Sequence, residues 1–380
     1  MIPRFPDARR IKEMIRIFPV TAILGARQCG KTTLAKEMGA DHYFDLENPR
    51  DEAKFQSPQL LLEGLEGLIV IDEIQRRPDL FPLLRYLVDT EKKQKYLILG
   101  SASRDLVMSS SESLAGRIGF YHLGGFCLGD VGAGNWRTFW MRGGFPRSFL
   151  AGSESESLLW RENYITTFLE RDIPQLGIQI PAGTLRRFWM MLAHYHGQVV
   201  NYSQIGRAFG ISDMTVRKYI EILAGTFKVR ILQPYFNNTS KRLVKSPKIY
   251  VSDSGLFHSL LAVENEGQLL SNPKLGASWE GFALEEALSA LQIKNEEAFF
   301  WSTHAGAEVD LFFRSKGKNF AVEFKYGDAP VLTKSMKSAL ADLELAQLYV
   351  VYPGRDAYRI GANIQVVPLA DLKKEFNSLP

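Results

Sequence analysis

The chain has 380 residues, 46% hydrophobic and 23% charged, a balance that suits a globular protein of two or three domains and excludes a disordered or collagen-like one. Its two cysteines, Cys29 and Cys127, exclude a disulfide scaffold and a four-cysteine metal site. No apolar run approaches the roughly 18 residues of a membrane span, and MIPRFPDARR lacks an apolar signal core, so the expected location is cytoplasmic. The net charge of +4 is uneven: residues 184–250 hold eleven Lys/Arg against Asp213 and Glu221, a local +9 that leaves −5 for the rest. Such asymmetry points to a polyanionic partner, DNA above all, for the middle of the chain.

Residues 1–19 carry Ile11, Met14, Ile15 and Phe18 at helical spacing, with Pro19 as the stop. An apolar strand then runs into Gly25-Ala26-Arg27-Gln28-Cys29-Gly30-Lys31-Thr32, followed by Thr33 and a helix-forming run. This is GxxxxGK[ST], the phosphate-binding loop. Backbone N–H groups of the glycine-bent turn and the start of the next helix make an anion cradle for a nucleotide, here ATP. Lys31 would reach the β- and γ-phosphates, and Thr32 would ligate Mg²⁺. Cys29 inside the loop reads either as a thiol that bound nucleotide shields or as a small buried filler.

His42–Leu46 reads as a second strand and Pro58–Glu66 as a helix closed by Gly67. Leu68–Ile71 is a continuous apolar run of the kind buried on both faces of a parallel sheet, and Asp72-Glu73 follows at once. LIVIDE is a Walker B pattern: Asp72 serves the Mg²⁺ shell and Glu73 polarises the attacking water. Tyr96–Leu99 delivers Ser101 to the same sheet edge, either as a γ-phosphate sensor or, with Ser103, as a helix cap. Arg117, before the strand Ile118–Leu123, and Arg171, in LERDI, are two arginine-finger candidates, and each reads equally as an ion-pair partner. A finger often comes from a neighbouring subunit, so a homo-oligomer is the corresponding partner.

The order phosphate loop, FDLENP, LIVIDEIQ, LGSAS, SLAGR, GGFP and LERDI resembles a family of prokaryotic AAA+-type ATPases whose C-terminal region is itself a domain of unknown function. The resemblance spans essentially the whole chain. It implies a P-loop domain of the kind with an additional strand and a catalytic glutamate, then a helical lid, then the C-terminal region. It supplies no substrate.

Residues 126–183, rich in Gly and aromatic residues and then helical from Glu154 to Asp172, suit the lid. Beyond Thr184 come an aromatic helix (Leu185–Tyr195), Asn201 capping Gln204–Phe209, a Gly210 turn, and Ser212 capping Asp213–Leu223, a helix-turn-helix outline. Strands Val229–Tyr235 and Lys248–Val251, joined by a basic loop through Lys241 and Arg242, would form a wing. The second helix would present Ser212, Met214, Thr215, Arg217 and Lys218 to a DNA groove. Such modules also dock proteins, and that alternative stays open.

In the last part, Trp279-Glu280 opens a helix, and strands Val309–Phe313 and Phe320–Tyr326 flank the turn Ser315–Asn319. Glu323 and Lys325 share one strand face, with Asp310 across the hairpin and Glu280 able to approach from the helix. Glu280…Asp310…Glu323-x-Lys325 resembles the PD-(D/E)xK nuclease site, with Val309 in place of the Pro. Asp and Glu oxygens suit Mg²⁺, and Lys325 would steady developing charge. A shared ion would set Asp310 and Glu323 within roughly 4–5 Å of each other. A salt-bridged surface hairpin is the plainer alternative.

The expected fold is therefore α/β: a P-loop parallel-sheet ATPase core (1–125), a helical lid (126–183), a winged helix (184–254) and a restriction-endonuclease-like α/β domain (255–380).

Overall fold

The computed structural model describes residues 2–90, 93–101, 113–236 and 243–377. The chain falls into two compact units, one running to Phe126 and including Gly225–Phe227, the other formed by Cys127–Ala224 and the chain from Lys228 onward. No helix among the described residues is long and apolar enough to cross a membrane.

The first unit is built on five strands: β1 (Val20–Gly25), β2 (His42–Asp45), β3 (Gly67–Asp72), β4 (Gln94–Ser101) and β5 (Ile118–His122). They lie in the order β2-β3-β4-β1-β5, and every pairing is parallel. An all-parallel sheet needs both faces covered, which is why these strands are continuous apolar runs. Val20, Ala22 and Leu24 join one buried cluster with Ile69, Ile71, Tyr96 and Ile98, while Ile23 packs with Val70, Leu97 and Leu99 in a second. The strand β4 sits between β1 and β3, the additional strand that the resemblance implies. The amphipathic helix Phe5–Ile17 buries Ile11 and Met14 and stops before Pro19.

The second unit joins helices to a nine-stranded mixed sheet. Its strands are β6 (Gln198–Val199), β7 (Val229–Pro234), β8 (Lys248–Val251), β9 (Phe299–Ser302), β10 (Glu308–Ser315), β11 (Lys318–Phe324), β12 (Leu345–Tyr352), β13 (Tyr358–Gly361) and β14 (Ile364–Pro368). Their order is β13-β14-β12-β11-β10-β9-β7-β8-β6. The hairpin pairing of β7 with β8 is antiparallel, with Val229 opposite Val251. The sheet does not stop there: Gln233 and Pro234 of β7 pair in parallel with Phe299 and Phe300 of β9, so one sheet crosses the boundary expected at 254/255.

The helices Ala182–His194, Tyr202–Phe209 and Asp213–Gly225 follow the expected outline. Asn201 accepts from the Gln204 N–H and Ser212 Oγ from the Thr215 N–H, so the second and third of these helices each have a side-chain cap at the N-terminus. The helix Glu154–Thr167 runs on into a π-helical turn, Phe168–Asp172. Ser103 and the wing residues 237–242, Lys241 and Arg242 among them, lie outside the described residues.

Candidate functional site

At the carboxyl edge of the parallel sheet, β1 ends in Gly25. A Cβ there would stand 2.2 Å from the Leu123 carbonyl oxygen, so only glycine lets the chain turn so close to its neighbour. Gln28 (φ 63°) and Gly30 (φ 102°) take left-handed backbone, the alternation that aims successive N–H groups into one concavity. Lys31 begins the following helix, and its Nζ folds back on the carbonyl oxygens of Gly25 and Ala26, each at 3.0 Å. Arg27 lies 3.8 Å from Glu47, and Thr33 faces solvent one residue beyond Thr32.

Asp72 ends β3 with 2% of its surface exposed. Its Oδ2 accepts from Thr32 Oγ1 at 2.8 Å and from Tyr43 Oη at 2.6 Å. A carboxylate and a hydroxyl in contact at the loop are hard oxygen donors of the kind Mg²⁺ takes, so these residues fit that ion. The Tyr43 phenol is held well above its ordinary range, by burial first and by the Asp72 bond and charge next.

Glu73 adopts a left-handed backbone, φ 55°, rare for a residue with a side chain. Burial pushes its carboxyl above the usual range, while the Lys31 charge and a hydrogen bond from Gln75 Nε2 pull the other way. Gln75 Oε1 is buried with no hydrogen-bond partner. Ser101 pairs in register with Gly25, directly beside the loop.

Cys29 and Arg117 carry two readings each. Cys29 is fully buried, its Sγ 3.4 Å from the Leu123 carbonyl oxygen, so the thiol fills the loop's underside rather than facing the nucleotide's side. Arg117 lies at the amino edge of β5, the opposite end of the sheet from the loop, and makes a bidentate pair with Asp89 at 2.6 and 2.9 Å. A parallel sheet cannot bring that side chain to its own chain's phosphate loop, so a finger role would act only on a second copy. Arg171 is exposed in the π-helical turn of the other unit.

In the second unit the nuclease-like residues meet. Continuing the β10/β11 ladder one step past Leu311 and Val322 sets Asp310 opposite Glu323 on one face. The Phe324 N–H donates to Asp310 Oδ2 at 3.0 Å, and Lys325 Nζ lies 2.7 Å from Glu323 Oε1. Glu280 arrives from the helix Leu275–Leu291 and accepts from Tyr250 Oη at 2.6 Å. Burial first, and the Asp310 charge second, push Glu280 up to about 7 and Glu323 up to about 8.

The sequence pattern did not anticipate Lys248. Its Nζ lies 3.1 Å from Glu280 Oε1 and 3.3 Å from Asp310 Oδ1, and it pairs with Glu308 Oε1 as well. Burial alone would lower this ammonium, yet Tyr250, Glu280, Asp310 and Glu308 around it hold it well above its ordinary value. Among the described residues, no group of three or more His, Cys, Asp or Glu side chains is placed to hold a metal ion. The carboxylates therefore converge, but on a lysine. In the sequence Lys248 is one of the basic residues of 184–250, and nothing in its spacing from Glu280 or Asp310 marks it as their partner.

Comparison with known proteins adds the family. Residues 18–131 match the AAA domain family, and residues 133–267 and 275–372 match two domains of unknown function, DUF8612 and DUF4143. Among solved structures, the Walker-type ATPase PABY2304 of Pyrococcus abyssi is similar at 16% identity and a TM-score of 0.46, over 69% of this chain and 96% of that one. The uncharacterized proteins Rv2008c of Mycobacterium tuberculosis and Mb2031c of Mycobacterium bovis are each 46% identical over 372 residues, 97% of this chain and 84% of theirs. With its phosphate loop and Walker B edge inside the matched AAA domain, the chain is a P-loop ATPase-type protein, and it belongs to the same family as Rv2008c and Mb2031c.

Proposed function

We propose that this chain hydrolyses ATP with Mg²⁺ and uses the cycle to control contact with a nucleic acid, DNA in the first instance. The observation that carries the hydrolytic reading is the Thr32–Asp72 hydrogen bond beside Lys31 and Glu73 at one sheet edge. The backbone of Gly25–Thr32 would hold the phosphates and Lys31 would leave its two carbonyls to neutralise the β- and γ-oxygens. Thr32 and Asp72 would hold Mg²⁺, which when bound neutralises charge on the phosphate oxygens. Glu73 would accept the attacking water's proton, and Ser101, in register with Gly25 at the same edge, would sense the γ-phosphate. Phosphate release from the full chain with ATP and Mg²⁺, and its loss in Lys31→Ala, tests this reading.

Nucleic-acid contact through residues 184–250 is favoured by one specific feature. The helix Asp213–Gly225 buries Val216, Ile220 and Leu223 and leaves Ser212, Met214, Arg217 and Lys218 exposed on the far side, beside a capped helix and an αL turn at Gly210. Salt-dependent binding of the full chain to a DNA duplex tests it, and its absence would leave protein docking as the role of this face.

A further inference from the structure

Four carboxylates and two ammonium groups from four elements meet inside the second unit. Glu280 comes from a helix, Glu308 and Asp310 from β10, Glu323 and Lys325 from β11 and its end, and Lys248 from β8. Lys248 is the centre of the group: its side chain is 3% exposed and touches three of the four carboxylates.

The donors in place leave little for a metal. Asp310 has both oxygens engaged, Oδ1 by Lys248 and Oδ2 by the Phe324 N–H. Glu280 Oε1 receives two donors, Lys248 and Tyr250, and Glu323 Oε1 is held by Lys325. Glu323 Oε2 is buried without a hydrogen-bond partner, but Glu323 is only 6% exposed, which leaves little room beside it for the several waters that Mg²⁺ keeps in its octahedral shell. An ammonium beside the same oxygens also opposes a divalent cation by like charge.

We propose that Lys248 is the resident cation of this cluster, standing where the PD-(D/E)xK pattern would hold a divalent metal, so that the hairpin keeps the charged framework of a nuclease site without binding the metal that cleavage requires. Lys248 is buried, with its Nζ 5.6 Å from the Phe300 ring centroid, and its head ties β8 to β10 and to the Glu280 helix. The cluster is then an internal clasp. The proposal does not depend on the ATPase reading.

Mn²⁺ is the probe, followed by the electron paramagnetic resonance of the free ion in the full chain without nucleotide. An Asp72→Ala background silences the Walker B edge. With Lys248 present, Asp310→Asn should leave Mn²⁺ binding unchanged, because Asp310 holds no metal. Lys248→Met should add one Mn²⁺ site, at least ~10-fold tighter than any in its parent, since the freed carboxylates are suitable oxygen ligands. Adding Asp310→Asn should remove it again.

A Mn²⁺ site in the Lys248 protein that Asp310→Asn abolishes would overturn the proposal. So would a folded Lys248→Met chain that gains no site. Should Lys248→Met fail to fold, as the loss of one partner from a buried charge cluster can cause, the comparison with Lys248 intact still decides the matter. Lys248→Arg, which keeps the charge, should then fold and bind no Mn²⁺.

Discussion

Glu73 is the side chain on which turnover should depend most sharply. Glu73→Gln keeps the shape and the Gln75 neighbour but removes the proposed proton acceptor, so phosphate release should fall by ~10²–10³-fold. Nucleotide affinity, measured by fluorescence with a labelled ATP, should stay within about threefold of the parent, because Lys31 and the loop backbone are untouched. Wild-type turnover in Glu73→Gln would remove it from the chemistry. Lys31, Asp72 and Glu73 were legible in the sequence because a phosphate loop and an acidic strand end are local patterns. Tyr43 was not, since its reach to Asp72 depends on the β2/β3 register that sets Tyr43 opposite Val70. Cys29 shows the converse: position in the motif suggested access, but the turn folds its thiol under the loop. Iodoacetamide should therefore label Cys29 equally slowly with and without saturating ATP in the native chain. Cys127 should be slow too, its thiol pushed up to about 12 by burial, with the Glu286 and Asp130 charges adding to it. Rapid labelling of either cysteine, followed by peptide mass spectrometry, would contradict this.

At the scale of elements, charge counting and packing give different answers. Of the eleven cations in 184–250, Lys228 is buried, Arg230 forms a bidentate pair with Glu285, and Lys248 sits in its carboxylate cluster. Sequence cannot distinguish these from surface charges, because the carboxylate partners of Arg230 and Lys248 come from one distant strand and one long helix. What remains usable includes Arg217 and Lys218 on the exposed face of Asp213–Gly225. The Arg217 guanidinium lies 3.8 Å from the Tyr202 ring centroid, a contact that steadies the helix pair. Lys218→Glu is therefore the cleaner variant: if Lys218 meets phosphate, DNA affinity should fall about equally across sequences and the salt slope should drop by ~1. An unchanged slope would take Lys218 out of the interface.

The helix Leu275–Leu291 carries a second, pH-dependent element. Glu286 is buried beneath the Leu128 N–H, which donates to it at 2.7 Å, and burial pushes its carboxyl up to about 8. A carboxyl raised in the folded state favours folding fully below its ordinary value near 4.5, and that contribution is lost as pH rises through about 8. Each such group can weigh at most ~1.4 kcal/mol per pH unit across that window. Glu286→Gln, neutral at every pH, should flatten the fall in urea-unfolding stability between pH 5 and 8.5. A parallel pH profile in both proteins would show that Glu286 titrates normally.

For the whole molecule, the parallel sheet of the first unit was readable strand by strand, because each strand is an apolar run beside a motif. The second unit was only half readable. LAQLYVVY and the two strands after it carry no chemical signature, and the parallel β7/β9 pairing that makes one sheet of two expected modules is a long-range contact without a local signal. The outcome is a division into two units, with separate buried clusters in the first and in the mixed sheet of the second. Each unit has its own core, so calorimetry of the full chain should resolve two transitions. ATP with Mg²⁺ at about 100 times Kd stabilises the state that binds it by ~2.7 kcal/mol, which for a domain of this size raises its midpoint by roughly 10 °C. That shift should fall on one transition alone and vanish in Lys31→Ala. If both transitions move together, or a single transition carries all the heat, the two units unfold as one cooperative body and nucleotide binding reports on the strand network around Lys248 as well as on the phosphate loop.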